Sequence, residues 1–146
     1  MDFCDNAAFC QVLMQTVNDP GQLLPRLNAR MVSLSCDGRA EGEMTPGKEN
    51  QNPWGTVHGG ALASLADTVA GACAVAATGS VCVTVDSYLN YLRPAVAGSA
   101  VRCVARAEHI GKTICVIQVR ILGDEDKNLA TGQFTFCRTG ALEELA

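Results

Sequence analysis

The sequence predicts an α+β fold: one long, curved antiparallel sheet wrapped around a single hydrophobic helix, with an extra helix at the N-terminus. Three observations carry this expectation. Residues 59–77 keep a helical pattern made almost wholly of apolar and small side chains. Four long segments after it are rich in Val, Ile, Thr and Tyr, as strands are. Their connections are short, and parallel neighbours would need long crossovers. At 146 residues the chain reads as one domain, 1–146, able to bury about two-thirds of its unfolded surface.

Each element follows in order. In "FCDNAAFCQVLMQTV", residues 3–17, Phe9, Val12, Leu13 and Val17 recur at helical spacing, with Asp5 or Asn6 as a cap and "NDPG" as a stop. The segments "ARMVSLSCDG" and "RAEGEMTPG" alternate as two strands with a turn at Asp37-Gly38. "TPGKENQNPWG" has no period and reads as a loop. In the central helix Leu62, Leu65, Val69, Cys73 and Val75 are the larger apolar groups. Ser64, Asp67, Thr68 and Gly71 form one polar or small stripe at i, i+3, i+4, i+7 spacing. Strands are expected in "SVCVTVDSYLNYLRP", "GSAVRCVARAEHIG", "KTICVIQVRILGD" and "KNLATGQFTFCRTG", paired as a consecutive meander.

Composition narrows the function classes. A formal net charge of −4 argues against nucleic acid as a partner, because phosphate binding needs a basic face. No N-terminal signal pattern is present, and the longest apolar run is interrupted by Asp67, so neither secretion nor a membrane span is expected. The eight cysteines are well separated and form no CxxC, and only two histidines accompany them. They read as free thiols in a reducing cytoplasm, and no metal site is expected.

The chemistry-bearing stretch is "NPWGTVHGGALASLAD", Asn52 to Asp67. The first turn of a helix starting near Gly59 leaves backbone N–H groups without intrahelical partners, at the positive end of the helix dipole. Glycine lets a ligand approach them, which suits an anion or a carbonyl that gains negative charge. The blander reading of the glycine pair is a tight bend. Asp67 is a carboxylate on an otherwise apolar helix with no Lys or Arg on it. It must be paired, hydrated or functional; as a functional group it is a general base for water or a nucleophile. Asp67 is eight residues beyond Gly59, so ~12 Å separates them along the axis, whereas reacting atoms meet at ~3–3.5 Å. Either the carbonyl lies elsewhere, or the acid comes from a second, antiparallel helix. The second option predicts a homodimer.

The pattern Asn52-x-x-Gly55-x-x-His58-Gly59-Gly60-x-x-x-x-Leu65-x-Asp67 closely resembles the signature of the phenylacetic acid degradation (PaaI)-type hotdog thioesterases. The likeness continues through "TVDSYLNYLRPA", the "GKT" turn and "LATGQFTF". It covers residues 30–139, the expected hotdog core, and leaves 1–29 as an N-terminal helical extension. It implies hydrolysis of an acyl-CoA thioester to free acid and CoA at sites lying across a two-fold interface. Relatives are commonly tetramers. Coenzyme A would enter only as part of the substrate, with no metal or redox cofactor. By the same likeness, Asn52 hydrogen-bonds the thioester carbonyl or holds the site loop, and the Gly59 N–H polarises that carbonyl. Asp67 of the partner subunit activates water or attacks. Thr84 helps orient the water, and His58 supports the site. As a turn residue before Pro53, Asn52 also has an ordinary structural reading. Arg93, Lys112 and Arg138 are weak candidates for the CoA phosphates, Trp54 for an acyl pocket, and His109 matches no motif position. The alternatives are a non-catalytic acyl-CoA binder or sensor, disfavoured by Asp67, and a hotdog hydratase or dehydratase, disfavoured by the position of His58. The acyl group is not legible.

Overall fold

A computed structural model describes residues 7–142 of the chain. Helix α1 spans Ala7–Val17, a short helix α2 spans Leu23–Arg26, and strands β1 (Ala29–Ser35) and β2 (Arg39–Met44) form a hairpin. The long helix α3, Gly59–Thr78, follows. Strands β3 (Ser80–Tyr91), β4 (Val101–Ile110), β5 (Ile114–Leu122) and β6 (Asn128–Ala141) complete the chain. The expected cap at Asp5 or Asn6 and the thiol of Cys4 lie outside the described residues. The 23–26 segment closes one helical turn and buries Leu24.

All pairings are antiparallel and the order is β1-β2-β4-β5-β6-β3. The expected consecutive meander therefore needs correcting. Strands β4, β5 and β6 do form one, but β3 pairs with β6 at the far edge. The 92–100 connection permits this: at ~3.3 Å per residue it reaches about 30 Å. The three strand spacings it must cross total about 14 Å. With β3 at that edge, the sheet curls round α3 from both sides.

Helix α3 is the core. Leu65, Ala66, Val69, Ala70, Cys73 and Ala74 are wholly buried against Ile117, Val119, Ile121 and Phe136 of the sheet. Alanine on this face lets backbone approach backbone, and Gly42 of β2 extends the same logic. A Cβ there would stand 2.6 Å from Val69 Cγ2 and 3.2 Å from the Arg30 carbonyl. The helix stops at Gly79, whose φ of 65° is left-handed and whose N–H donates to the Val75 carbonyl. Arg138 of β6 seals this end, donating to Ser80 Oγ, the Gly111 carbonyl and the Thr78 carbonyl.

The expectation that no apolar run reaches membrane-spanning length also changes. Over 20 residues with mean hydropathy 1.5, α3 is the one helix among the described residues long and apolar enough to cross a membrane. Here it lies inside the sheet. The seven described cysteines form no disulfide with one another. Burial pushes the Cys73 and Cys103 thiols up to about 12, so both stay protonated as small hydrophobes. The Cys10 and Cys36 sulfurs lie 3.2 Å apart, linking α1 to the β1–β2 turn.

Candidate functional site

One face of α3 is not covered by the sheet. Ala63, Ser64, Asp67, Thr68, Gly71 and Val75 are only half-buried, and they include the whole stripe expected from helical spacing. Along it, Ser64 Oγ donates to the Gly60 carbonyl and Thr68 Oγ1 to the Ser64 carbonyl, so both hydroxyls are satisfied within the helix. Asp67 has no such local partner. Its Oδ1 accepts a 2.7 Å hydrogen bond from Thr84 Oγ1 of β3.

A bulge aims Thr84 at it. Thr84 pairs with Phe136 and Asp86 with Thr135, so Val85 is an extra residue in β3. Bulges bend a strand and re-aim its side chains. Asp67 and Thr84 open into a groove of about 490 Å³, which Ser64, Ser87, Tyr88 and Tyr91 also line. No cluster of three or more His, Cys, Asp or Glu side chains suited to a metal occurs among the described residues.

The tip of α3 lies at a different opening. Gly59 lines a cavity of about 270 Å³ with Val57, Leu62, Tyr91 and Arg93. No acceptor among the described residues takes the Gly59 N–H. The next amide is already used: Gly60 N–H donates to His58 Nδ1 at 2.8 Å. His58 is thus the N-cap of α3, with extended backbone at φ −62°, ψ 132°. Accepting through Nδ1 leaves its ring proton on Nε2. That is a supporting position, made by capping rather than by contact with Asn52.

Asn52 is occupied within its own loop. Its Nδ2 donates to Thr56 Oγ1 at 2.7 Å, and its Oδ1 accepts from the Trp54 and Thr56 N–H groups. This Asx-type closure fits the loop-holding role and the turn reading. It does not present the amide to the Gly59 cavity, so of the two roles implied for Asn52 the carbonyl donor is the one the geometry does not display. Trp54, at the loop tip, is 84% exposed and lines neither opening. Of the three cations named for CoA phosphates, Arg138 is spent sealing the helix end and Lys112 sits on the β4–β5 turn. Only Arg93 lines the Gly59 cavity, with Nη1 also donating to the Asn128 carbonyl. His109 is exposed near the end of β4.

Two residues escaped the sequence reading. Asn50 is 2% exposed and organises the loop before α3. Its side chain accepts from Gly47 N–H and Asn28 Nδ2 and donates to the Leu27 carbonyl, while its own carbonyl accepts from His58 N–H. Tyr91, the last residue of β3, lines both openings and donates from its hydroxyl to the Gly59 carbonyl at 2.8 Å. Burial raises its pKa, so the hydroxyl remains a donor. The only sign of Tyr91 in the sequence was its place in "NYLRP", which a strand explains equally well.

Comparison with known proteins agrees with this fold. Residues 54–130 match the model of the thioesterase superfamily. The acyl-coenzyme A thioesterase PaaI of Escherichia coli is 37% identical over 98 residues, spanning 64% of this chain and 66% of that one. The E. coli PaaI structure superposes with a TM-score of 0.79 at 28% identity, covering 87% of this chain and 89% of that one. The smu.793 protein of Streptococcus mutans, solved bound to acetyl-CoA, gives 0.74 at 29% identity over 78% and 90% of the two chains.

Proposed function

The chain belongs to the thioesterase superfamily as a PaaI-type hotdog protein, and from that premise we propose that it hydrolyses acyl-CoA thioesters at a site built by two protomers. One observation carries the two-chain reading. The carboxylate and the free helix-tip amide open into separate cavities of the same protomer, divided by Tyr91. Each half lacks what the other holds. The uncovered stripe of α3 adjoins strand β3, whose twelve residues include none that is fully buried. Pairing two β3 edges about a two-fold axis sets the helices antiparallel and brings Asp67 of the partner subunit towards the Gly59 amide.

The chemistry then follows. The thioester carbonyl oxygen accepts from the Gly59 N–H, which strengthens as charge builds on that oxygen. Thr84 donates to Asp67 Oδ1, leaving the other carboxylate oxygen to take a proton from water. The water oxygen bonds to the carbonyl carbon, the C–S bond breaks, and the leaving CoA sulfur takes the proton that Asp67 had accepted, restoring the carboxylate. Direct attack by Asp67 through a mixed anhydride is the other route open to the same geometry. Label on Asp67 after single-turnover hydrolysis in ¹⁸O-water would establish the anhydride route with water attacking the Asp67 carboxyl carbon, because general-base hydrolysis places the solvent oxygen in the product acid alone.

The test is free-thiol release from a panel of acyl-CoA substrates. Asp67→Asn should abolish turnover while the fold and CoA binding persist; unchanged turnover removes Asp67 from the mechanism. Gly59→Pro removes the amide proton and sets ring carbons in its place, at a backbone position that accepts proline: the first helical residue, preceded by the extended backbone of His58. It should lower kcat by ~10²–10³-fold. Co-assembling the two inactive variants should restore about a quarter of wild-type activity, since half the dimers are mixed and each holds one intact site. No recovery in verified mixed dimers would favour a single-chain site.

A further inference from the structure

We propose that Tyr91 is a positioning residue that, with His58, clamps the Gly59–Gly60 peptide, the unit joined through the Gly59 α-carbon to the one that carries the Gly59 N–H, and so restrains the direction of that N–H. This inference rests on the hydrolase reading above and adds a residue to it. The geometry concerns one peptide plane. Its carbonyl, that of Gly59, accepts from Tyr91 Oη at 2.8 Å. Its N–H, that of Gly60, donates to His58 Nδ1 at 2.8 Å. Both ends of the Gly59–Gly60 peptide are thereby tied to side chains outside the helix ladder.

The tie answers a problem that the glycine pair creates. Two successive glycines at a helix start leave the backbone with the widest choice of φ and ψ, and first turns fray readily. An amide that stabilises developing charge must be aimed before the charge appears. The aromatic ring contributes as well: a Cβ on Gly59 would lie 3.4 Å from Tyr91 Cε1 and Cζ, so the ring packs against the glycine. Tyr91 is itself held in the sheet, paired with Ala130 of β6. The clamp thus transmits the rigidity of the strand to the helix tip.

The experiment is a double-mutant cycle. Tyr91→Phe keeps the ring and removes the hydroxyl. It should lower kcat about tenfold with KM within about twofold, a smaller loss than deleting the donor outright. In the Gly59→Pro background the same change should have no further effect on kcat, because no amide remains to be aimed. An equal loss in both backgrounds, or a loss confined to KM, would overturn the positioning role. Amide hydrogen exchange supplies a readout that needs no turnover: Tyr91→Phe should speed exchange at Gly60 by several-fold while leaving mid-helix amides such as Ala70 unchanged. If the wild type cleaves no substrate in the panel, the hydrolase reading fails by itself. The clamp is then decided by exchange alone, and unchanged exchange at Gly60 rejects it.

Discussion

The two edges of the sheet are finished in opposite ways. Strand β1 is seven residues long and packed by α1, and Asn18 clasps its backbone: Nδ2 donates to the Met31 carbonyl while Oδ1 accepts from the Met31 N–H at 2.7 Å. Strand β3 is twelve residues long and carries Val83, Val85 and Tyr88 exposed, with Asp86 as its one charged residue. An open edge with such side chains templates pairing with another chain, and proteins ordinarily blunt it with charge, proline or cover. Here one edge is blunted and the other is left open, on the side where α3 exposes Asp67. The contrast separates an edge that ends the fold from one left free for the second protomer of the proposed site.

The largest expected effect comes from closing the open edge. Val83→Glu with Val85→Glu places two like charges along β3, on either side of Thr84 and at the bulge residue that aims it. It should convert the proposed dimer to monomer in sedimentation and lower turnover ~10²-fold, the scale on which misplaced reacting groups lose rate. Unchanged mass would reject β3 as the pairing edge. Opening the closed edge is next. Asn18→Ala leaves the Met31 N–H and carbonyl without their partner and should cost about 2 kcal/mol, read as a lower denaturant midpoint with turnover retained at low denaturant. The smallest effect belongs to Arg30→Ala. Arg30 meets Glu43 across the hairpin at 2.7 Å, but both side chains are solvent-exposed, so the loss should be at most about 0.5 kcal/mol. A loss as large as that of Asn18→Ala would mean that surface charge, not the backbone clasp, secures this edge.

How legible these features were depended on the range of the interaction. Gly59 and Asp67 stand out in sequence because each breaks a local pattern: a flexible pair at a helix start, a carboxylate in an alanine-rich helix. Thr84 was visible only through family likeness, since threonine suits any strand. Its bond to Asp67 depends on the bulge at Val85, which no local pattern announces. Tyr91 and Asn50 were missed because their partners lie 32 and 23 residues away and their residue types fit strand and loop without further explanation. Asn52 shows the converse. Its residue type serves a turn and a ligand contact equally, and only coordinates reveal that its amide is spent on Thr56.

By itself the sequence determined the α+β class, the bounds of the central helix to within a residue, the positions of six strands and the polar stripe of α3. All of these are written in periodicities of two and 3.6 residues, which act over a few positions. Only the tertiary structure decided that β3 crosses to pair with β6, that Thr84 reaches Asp67, and that the helix-tip amide and the carboxylate open into different cavities. Those outcomes depend on how a curled sheet closes round one helix, and chain-distant groups meet there through packing that no short window of residues encodes.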